Sequence, residues 1–267
     1  MVSAAASASG SGAFRLEGVG FAVQGREILR DVTLSFPEGR MTALLGHNGS
    51  GKSTLLRIMA RRAEATSGAA LWDGRAVRAF GERAFAREVA WLPQEMGSAA
   101  GMTLRELVAC GRYPWHGPLG RFTPEDGRKV AAGIEAVGLG GFEERFVQTL
   151  SGGERQRAWI AMMLAQDGRC LLLDEPTAAL DVAHQVEVLS LLRRLAQEKG
   201  LTVVVVMHEI NMAARFCDLI HALKGGEVVA SGPPDGIMTP ETLRLIYDVE
   251  MNVTHPPGRE APLAYVR

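Results

Sequence analysis

Residues 14–36 alternate between apolar and polar side chains, and Gly25 divides the segment into two parts. The apolar positions are Leu16, Phe21, Val23, Ile28, Val32, Leu34 and Phe36. A period of two is typical of strands that bury one face, so the segment predicts two antiparallel strands. A further hairpin is predicted at Asp73-Gly74, a dipeptide that favours the tight turn between two strands.

Three other runs are almost continuously apolar: Met41–Leu45, Cys170–Leu173 and Leu201–Met207. Such runs are expected of strands that are buried on both faces of a parallel sheet. A last hairpin is predicted between Leu219–Leu223 and Val228–Ala230, because two glycines separate these short apolar segments.

Helical patterns lie between these strands. Each begins at a residue whose side chain can cap the first turn, and apolar residues then recur at helical spacing. The predicted caps are Thr103 with Glu106, Thr123 with Asp126, Asp181, and Thr239 ahead of Pro240. Strands that alternate with helices predict an α/β fold with a doubly wound core.

The composition is that of an ordinary globular chain. It has 267 residues, of which 47% are hydrophobic and 22% charged, enough for one large domain. A formal net charge of −1 gives no global field for nucleic acid, so no nucleic-acid partner is predicted. Three widely separated cysteines without C-x-x-C spacing argue against a disulfide framework or a zinc site.

Neither the apolar runs nor residues 1–12 predict a membrane-spanning segment or a secretion signal. No run approaches the roughly 18 apolar residues that would cross a bilayer, so a membrane role would come through a partner. Residues 1–12 lack the basic start and apolar core of a secretion signal. They are predicted to form a disordered tail ahead of one domain over residues 13–267.

Candidate chemistry begins directly after Met41–Leu45. The segment GHNGSGKST fits the phosphate-binding pattern G-x-x-x-x-G-K-[ST]. Backbone N–H groups can fold around a phosphate, Lys52 can reach the β- and γ-phosphates, and Ser53 can hold Mg²⁺. The predicted nucleotide contacts are Gly46, His47, Asn48, Gly49, Ser50, Gly51, Lys52, Ser53 and Thr54. The alternative is a glycine-rich turn with an exposed lysine.

Two carboxylates follow the apolar run Cys170–Leu173. Ligands of open α/β folds bind at the carboxyl ends of strands, so Asp174 is placed to hold Mg²⁺. Glu175 could take a proton from an attacking water. The alternative is an apolar strand that simply ends in two acidic residues, and the phosphate loop upstream favours the functional interpretation.

A second anion site is predicted at the start of another helix. Ser151 precedes two glycines, which would expose N–H groups at the N-terminus of that helix. On local chemistry alone, Ser151 is equally compatible with a simple N-cap.

The segment LSGGERQ at residues 150–156 resembles the signature sequence of ATP-binding cassette (ABC) ATPases. Ser151 lies 23 residues before Asp174, as in that family. The resemblance covers residues 14 to about 231 and implies a P-loop NTPase (RecA-like) core. It also implies an N-terminal antiparallel β-subdomain and an inserted helical subdomain at roughly residues 95–160.

The resemblance implies a role for each remaining motif residue. Gln94 matches the Q-loop, which would sense Mg²⁺ or water, and His208 matches the switch histidine, which would orient the attacking water and the γ-phosphate. Glu175 would be the general base. The implied trans contacts to a nucleotide held by another copy are Ser151, Gly152, Gly153, Glu154 and Asp181 of the D-loop. A satisfied core histidine is the alternative for His208.

A narrower resemblance concerns the transported substrate. The segment GRYPWHG at residues 111–117 is similar to the iron-siderophore and cobalamin importer group, although a packed turn is its alternative. Residues 112–122, 161–177 and 181–192 resemble ferric-hydroxamate import ATPases. The implied function is ATP hydrolysis, with Mg²⁺, that powers the import of ferric siderophores. Import of cobalamin or haem, export, and a soluble non-transport role are the alternatives.

The same resemblance implies partners and a location. Two ATPase chains would form a homodimer under an integral-membrane permease. A periplasmic or lipid-anchored siderophore-binding protein would be an indirect partner. The chain would then lie at the cytoplasmic face of the plasma (inner) membrane as a peripheral subunit.

One position departs from the family pattern. Most ABC ATPases stack adenine on an aromatic residue, and alignment on Gly25 puts Val23 there. Valine offers contact area but no π-face, so weak discrimination between ATP and GTP is predicted. Phe21 would point to the same face of the strand but further from the phosphate loop.

Overall fold

A computed structural model describes residues 13–116, 120–178, 180–258 and 261–267. The predicted tail at residues 1–12 lies outside the described residues. The strands are β1 Phe14–Val23, β2 Arg26–Phe36, β3 Met41–Leu45, β4 Ser67–Trp72, β5 Arg75–Ala76, β6 Val89–Leu92, β7 Cys170–Asp174, β8 Thr202–Val206, β9 Leu219–Lys224, β10 Glu227–Gly232, β11 Met251–Thr254 and β12 Leu263–Val266. The helices are α1 Lys52–Met59, α2 Glu82–Ala86, α3 Leu104–Cys110, α4 Tyr113–His116, α5 Pro124–Ala136, α6 Gly152–Ala165, α7 Val182–Lys199, α8 Ile210–Phe216, α9 Pro234–Ile237 and α10 Pro240–Tyr247.

The alternating segment forms an antiparallel sheet, as its pattern predicts. The strand order is β2-β1-β4-β5, and β1 pairs with both β2 and β4. The predicted hairpin at Asp73-Gly74 is confirmed, because Trp72 pairs with Arg75 across that turn. Both turn residues have positive φ, 48° and 72°, as the tight turns of hairpins require.

The continuously apolar runs form a six-stranded sheet of order β10-β9-β3-β8-β7-β6. Five of these strands are parallel, and β10 is the antiparallel edge. The carboxyl ends of β3, β8, β7 and β6 therefore meet at one edge of the sheet. The residues that follow these four strands are Gly46, His208, Glu175 and Gln94, which explains why the separated sequence motifs converge.

The two faces of this sheet belong to two cores. On β7, Leu171 and Leu173 face the core that contains the residues of α3 and α5 to α8, while Cys170 and Leu172 face the core under the antiparallel sheet and α1. Alternate residues of a strand point to opposite faces, so a strand covered on both sides must be apolar throughout. Burial of such an aliphatic side chain contributes about 1.5–3 kcal/mol.

The predicted capping boxes of α3 and α5 are both present. Thr103 accepts a hydrogen bond from the backbone of Glu106, and Thr123 accepts one from Asp126. Asp126 is buried and also accepts a hydrogen bond of 2.8 Å from Nε of the buried Arg112. Nη1 of the same Arg112 donates a hydrogen bond to the carbonyl of Ala165 on α6. These bonds join the helices of the predicted helical subdomain, although its limits at 95 and 160 remain a prediction.

Several elements escape the sequence patterns. The strand Val89–Leu92 and the hairpin of Met251–Thr254 with Leu263–Val266 have strands of only four residues, too short for a periodic pattern to identify them. Of the motif at residues 111–117, Tyr113–His116 form a single helical turn, and Nε1 of Trp115 donates to the carbonyl of Gln166 at 2.8 Å. Gly117 lies outside the described residues. Among the described helices, none is both long and apolar enough to span a membrane.

Candidate functional site

The phosphate loop joins β3 to α1 and depends on three glycines with positive φ. Gly46, Gly49 and Gly51 have φ values of 141°, 78° and 101°. A Cβ on Gly46 would lie 2.1 Å from the carbonyl oxygen of Leu223, so the loop can pass the neighbouring strand only without a side chain. No side chain caps α1, whose first N–H groups are therefore available to an anion.

Lys52 is held at the mouth of this loop. Lys52 is only 5% exposed. Its Nζ donates hydrogen bonds to the carbonyls of Gly46 at 2.8 Å and His47 at 2.9 Å. Burial lowers the pKa of Lys52, while the charges of Glu175 and Asp174 oppose that change. The alternative of an exposed lysine on a glycine-rich turn is therefore wrong.

Two of the three residues predicted to contact a metal, Ser53 and Asp174, lie together, and the third, Gln94, contacts Glu175. Oγ of Ser53 donates to Oδ1 of Asp174 at 3.0 Å. Burial raises the pKa of Asp174, and the hydrogen bond from Ser53 opposes that rise. Among the described residues, no group of three or more histidine, cysteine or acidic side chains could hold a metal by itself. A hydroxyl and one carboxylate suit Mg²⁺ that takes its other ligands from phosphate and water.

Glu175 connects the three predicted catalytic residues. Its Oε2 accepts from Nε2 of Gln94 at 2.9 Å, and its Oε1 lies 2.7 Å from Nε2 of His208. The side chain of His208 is 40% exposed, so the alternative of a satisfied core histidine is wrong. Glu175 also has a positive φ of 50°, a backbone conformation that is uncommon outside glycine and clusters at functional sites.

The second predicted anion site has a different environment. Ser151 caps α6 and forms a full capping box with Glu154, whose backbone N–H donates to Oγ of Ser151 at 3.2 Å. That bonding, led by the Ser151 N–H, lowers the pKa of Glu154. A Cβ on Gly153 would lie 2.3 Å from the ring of His184, so the helix start packs directly on α7.

Asp181 lies next to this second site. It caps α7, and its Oδ1 accepts from the backbone N–H of His184 at 2.9 Å. None of the hydrogen bonds and ion pairs of the described residues links Asp181 or the Ser151–Glu154 segment to the phosphate loop. Their predicted contacts with nucleotide therefore remain predictions that concern another copy of the chain.

His47 and Tyr247 form a contact that the sequence did not indicate. Their ring centroids are 5.8 Å apart at an interplanar angle of 79°, and Tyr247 is the last residue of α10. The ring of His47, and not only its backbone, is therefore in contact with another residue. The two residues line a cavity of about 450 Å³ together with Gly46, Asn48 and His208. No local pattern around Tyr247 distinguishes it from an ordinary helix terminus.

A second cavity, of about 550 Å³, lies on the other side of the phosphate loop. It is lined by Gly25, Arg26, Glu27, Ile28, Arg30, Gly49 and Gly225. Val23 ends the adjacent strand and is 48% exposed, whereas Phe21 packs against the core below the antiparallel sheet. The aromatic ring of Phe21 thus packs against the core, and the pairing of β1 with β2 is irregular between Phe21 and Ala22.

His221 is a structural histidine. It is buried on β9, and its two ring nitrogens bond Oγ of Ser231 at 2.8 Å and the carbonyl of Ser35 at 3.1 Å. Burial lowers the pKa of His221 to about 4, so the ring is neutral at physiological pH.

Comparison with known proteins agrees with this geometry. Residues 29–178 match the family model described as ABC transporter. The chain is 40% identical to the iron(3+)-hydroxamate import ATP-binding protein FhuC of Bacillus subtilis, over 92% of each chain. It is also 40% identical to the ferric enterobactin transport ATP-binding protein FepC of Escherichia coli, over 88% of this chain and 87% of that one.

A solved structure shares the fold. The chain superposes on a dimeric structure of MJ0796, a bacterial ABC transporter cassette, with a TM-score of 0.71 and 30% identity. The match covers 82% of this chain and 98% of the cassette. The predicted P-loop core, antiparallel sheet and helical region are those of such cassettes.

Proposed function

The chain belongs to the ABC transporter family as an ATP-binding, ATP-hydrolysing subunit, and from that premise we propose that it powers the import of ferric siderophores of the hydroxamate type. The observation that carries the enzymatic part is the contact of Glu175 with both Gln94 and His208, beside a phosphate loop. The substrate class rests on the relatives, of which one imports iron(3+)-hydroxamate and another transports ferric enterobactin.

The reaction follows from the positions of the side chains. ATP would bind with its phosphates against the N–H groups of the loop and α1, where Lys52 turns from backbone carbonyls to phosphate oxygens. Glu175 would take a proton from water as the water oxygen bonds to the γ-phosphorus and the bond to the β-phosphate oxygen breaks. His208 and Gln94, which already touch Glu175, would hold that water and the γ-phosphate in line.

Ser53 and Asp174 are the residues that would hold Mg²⁺, since both present hard oxygen atoms beside the loop. When bound, this ion supplies positive charge to the β- and γ-phosphate oxygens. Gln94 could add its amide oxygen or bind a water of the ion.

We infer that two copies close around each nucleotide. A triphosphate carries about four negative charges, whereas one helix N-terminus offers roughly half a positive charge. The N-terminus of α6 at Ser151 would supply a second one in trans, and hydrolysis would remove the contact that holds the copies together. The dimeric cassette that shares the fold supports this arrangement.

The nucleoside would occupy the cavity of about 550 Å³ beside Gly49. Glu175 and His208 mark the γ-phosphate end of the site, and His208 lines the other cavity, so the base must extend away from it. Arg26, whose planar guanidinium can stack on a purine, lines the proposed base cavity.

Import requires partners. We propose that the helical region around α3 to α5 docks on an integral-membrane permease, which places the chain at the cytoplasmic face of the plasma membrane. A siderophore-binding protein would deliver the ferric complex on the opposite side.

The test is to co-purify the chain with a candidate permease and to measure ATP hydrolysis with its binding protein, with and without ferric hydroxamate. Stimulation by the ferric hydroxamate that cobalamin, haem and ferric enterobactin do not reproduce supports the proposal. Stimulation by one of those other ligands alone would overturn the substrate class but not the ATPase. The Glu175→Gln complex is the matched control for background hydrolysis.

A further inference from the structure

The C-terminal segment reaches the nucleotide site through Tyr247. The ring of Tyr247 stands edge-on to the ring of His47 in the phosphate loop, with centroids 5.8 Å apart. Its hydroxyl donates to the backbone carbonyl of His208 at 3.4 Å. One side chain thus touches both the loop that binds phosphate and the loop that carries the switch histidine.

The two contacted residues are tied to the reacting groups by their other atoms. The carbonyl of His47 accepts a hydrogen bond from Lys52 at 2.9 Å. The ring of His208 lies 2.7 Å from the carboxylate of Glu175. A shift of either loop would therefore move a group that acts on the γ-phosphate.

One anchor holds the end of α10, which carries Tyr247, and a second joins the C-terminal strands to α8. Nζ of Lys224 donates to the carbonyl of Leu245 at 3.0 Å and to Oδ1 of Asp248 at 2.6 Å, which fixes the last turn of α10 to β9. Asn211 on α8 exchanges two hydrogen bonds with the backbone of Ala264, at 2.9 and 2.8 Å. The C-terminal hairpin is therefore fastened to the helix that directly follows His208.

We propose that Tyr247 is a positioning residue for ATP hydrolysis: it sets the spacing between the phosphate loop at His47 and the switch loop at His208. The proposal concerns the ATPase reaction that the family performs, so it does not depend on which substrate is imported. Tyr247 does not touch the reacting atoms itself and acts through its two neighbours.

The chemistry of the phenol agrees with this role. Burial, and to a smaller extent the charge of Glu209, raises the pKa of Tyr247 to about 12. The hydroxyl consequently stays protonated over the working pH range and remains a donor to the carbonyl of His208.

The primary test is the steady-state hydrolysis of ATP by Tyr247→Leu, which removes the ring and the hydroxyl. The matched control is Leu245→Ala, a change of an exposed side chain on the same helix. We expect kcat of Tyr247→Leu to fall about five- to tenfold, because misplaced catalytic groups slow the chemical step, while KM for ATP changes less than about twofold. Tyr247→Phe keeps the ring contact with His47 but loses the hydrogen bond to the carbonyl of His208, so its kcat should lie between those of wild type and Tyr247→Leu.

The outcomes separate positioning from general stability. A kcat of Tyr247→Leu within twofold of the Leu245→Ala control overturns the proposal, and so does a loss in KM alone. A loss that tracks a lowered melting temperature in both variants also overturns it. A selective loss of kcat in Tyr247→Leu that Tyr247→Phe restores only in part supports it.

Two further measurements keep the proposal testable if Tyr247→Leu does not fold. Lys224→Met keeps the side chain of Tyr247 but removes the ammonium group that fixes the end of α10. It should therefore let Tyr247 shift and lower kcat in the same selective way. In NMR spectra of the histidine ring protons, the His47 signals should carry a ring-current shift that Tyr247→Leu or Lys224→Met reduces and Tyr265→Leu does not. Unchanged kcat and unchanged His47 signals in Lys224→Met contradict the proposal.

Discussion

The two regions that are proposed to act on the γ-phosphate are built in opposite ways. At the carboxyl edge of the parallel sheet, Gln94, Glu175 and His208 already touch one another within one chain. At the start of α6, the bonds of Ser151 stay within its capping box and the first turn of that helix, and none reaches the phosphate loop. The first region is assembled by folding, whereas the second is complete as a helix terminus and incomplete as a nucleotide site.

This difference in construction indicates which interactions stabilise each region. The sheet edge collects two acidic residues and a buried lysine, where burial opposes the charge of Lys52 and of Asp174. Such groups are held together by the strands beneath them and contribute little to stability themselves. The capping box of Ser151, by contrast, satisfies N–H groups that the helix would otherwise leave without partners. Substitutions in the two regions should therefore separate turnover from stability.

The largest expected effect comes from Glu175→Gln. The amide keeps the size of the side chain but cannot accept the proton of water, so kcat should fall by about 10² to 10⁴. Unfolding temperature should change little, because the contact partners Gln94 and His208 can also bond an amide. The measurement is ATP hydrolysis together with gel filtration in the presence of ATP, where the variant should accumulate as a dimer.

Glu198→Gln on the exposed face of α7 is the matched control and should behave as wild type. Hydrolysis by Glu175→Gln at a normal rate would show that another group is the base. Loss of hydrolysis without ATP-dependent dimers would instead separate the base assignment from the two-copy arrangement.

A mixing experiment tests whether the two regions come from different copies. Lys52→Ala disables the phosphate loop, and Ser151→Arg disables the start of α6. A heterodimer of the two variants contains one site with both defects and one intact site, so an equal mixture should recover about a quarter of wild-type activity by random pairing. Each variant alone is expected to be inactive.

The mixture has a clear negative result. If the sites were formed within single chains, every chain would carry one defect and mixing would restore nothing. Activity at the background of the separate variants would therefore break the comparison between a self-contained region and a shared one.

The sequence predicted the self-contained region better than it could predict the shared one. Glu175 and His208 follow apolar runs that predict buried parallel strands, and parallel strands end at a common edge. The pattern thus accounts for their position at one edge of the sheet, whereas the role of His208 was implied by the family resemblance. Ser151 gives only a capping signal, and a second copy of the chain leaves no local trace in its sequence. The role of Ser151 therefore rested on the family resemblance.

Tyr247 shows a second limit of prediction from sequence patterns. Its helix was predicted from Thr239 and Pro240, and it ends at Tyr247. The contact with His47 spans 200 positions and depends on how the C-terminal hairpin packs on α8. That hairpin was missed because its strands are only four residues long, too short for a periodic pattern to identify them.

Two capping substitutions test the same comparison through smaller effects on stability and activity. Ser151→Ala and Thr103→Ala each remove the side chain of a capping box and should each lower the free energy of unfolding by about 1 kcal/mol. Only Ser151→Ala should also lower ATP hydrolysis, by about tenfold, since it removes a hydrogen bond to a charged phosphate. Chemical denaturation and steady-state kinetics measure the two effects separately, and equal kinetics in both variants would reduce Ser151 to a simple cap.

The smallest effect concerns recognition of the nucleotide's purine base, which neither of the two regions is proposed to contact. Val23 is exposed at the end of β1, and the neighbouring cavity presents Arg26 and Ile28. A guanidinium plane or an aliphatic surface contacts either purine equally well, so kcat/KM for ATP and GTP should agree within about threefold.

Val23→Tyr tests the same point by adding a π-face. Stacking of a base on an aromatic side chain contributes about 1–3 kcal/mol and tolerates any base, so KM should fall by about fivefold or more for both nucleotides alike. A wild-type enzyme that hydrolyses GTP far more slowly than ATP would reveal a specific adenine contact outside this cavity. An unchanged KM in Val23→Tyr would mean that the base lies elsewhere, because a ring added beside an occupied cavity must contact its occupant.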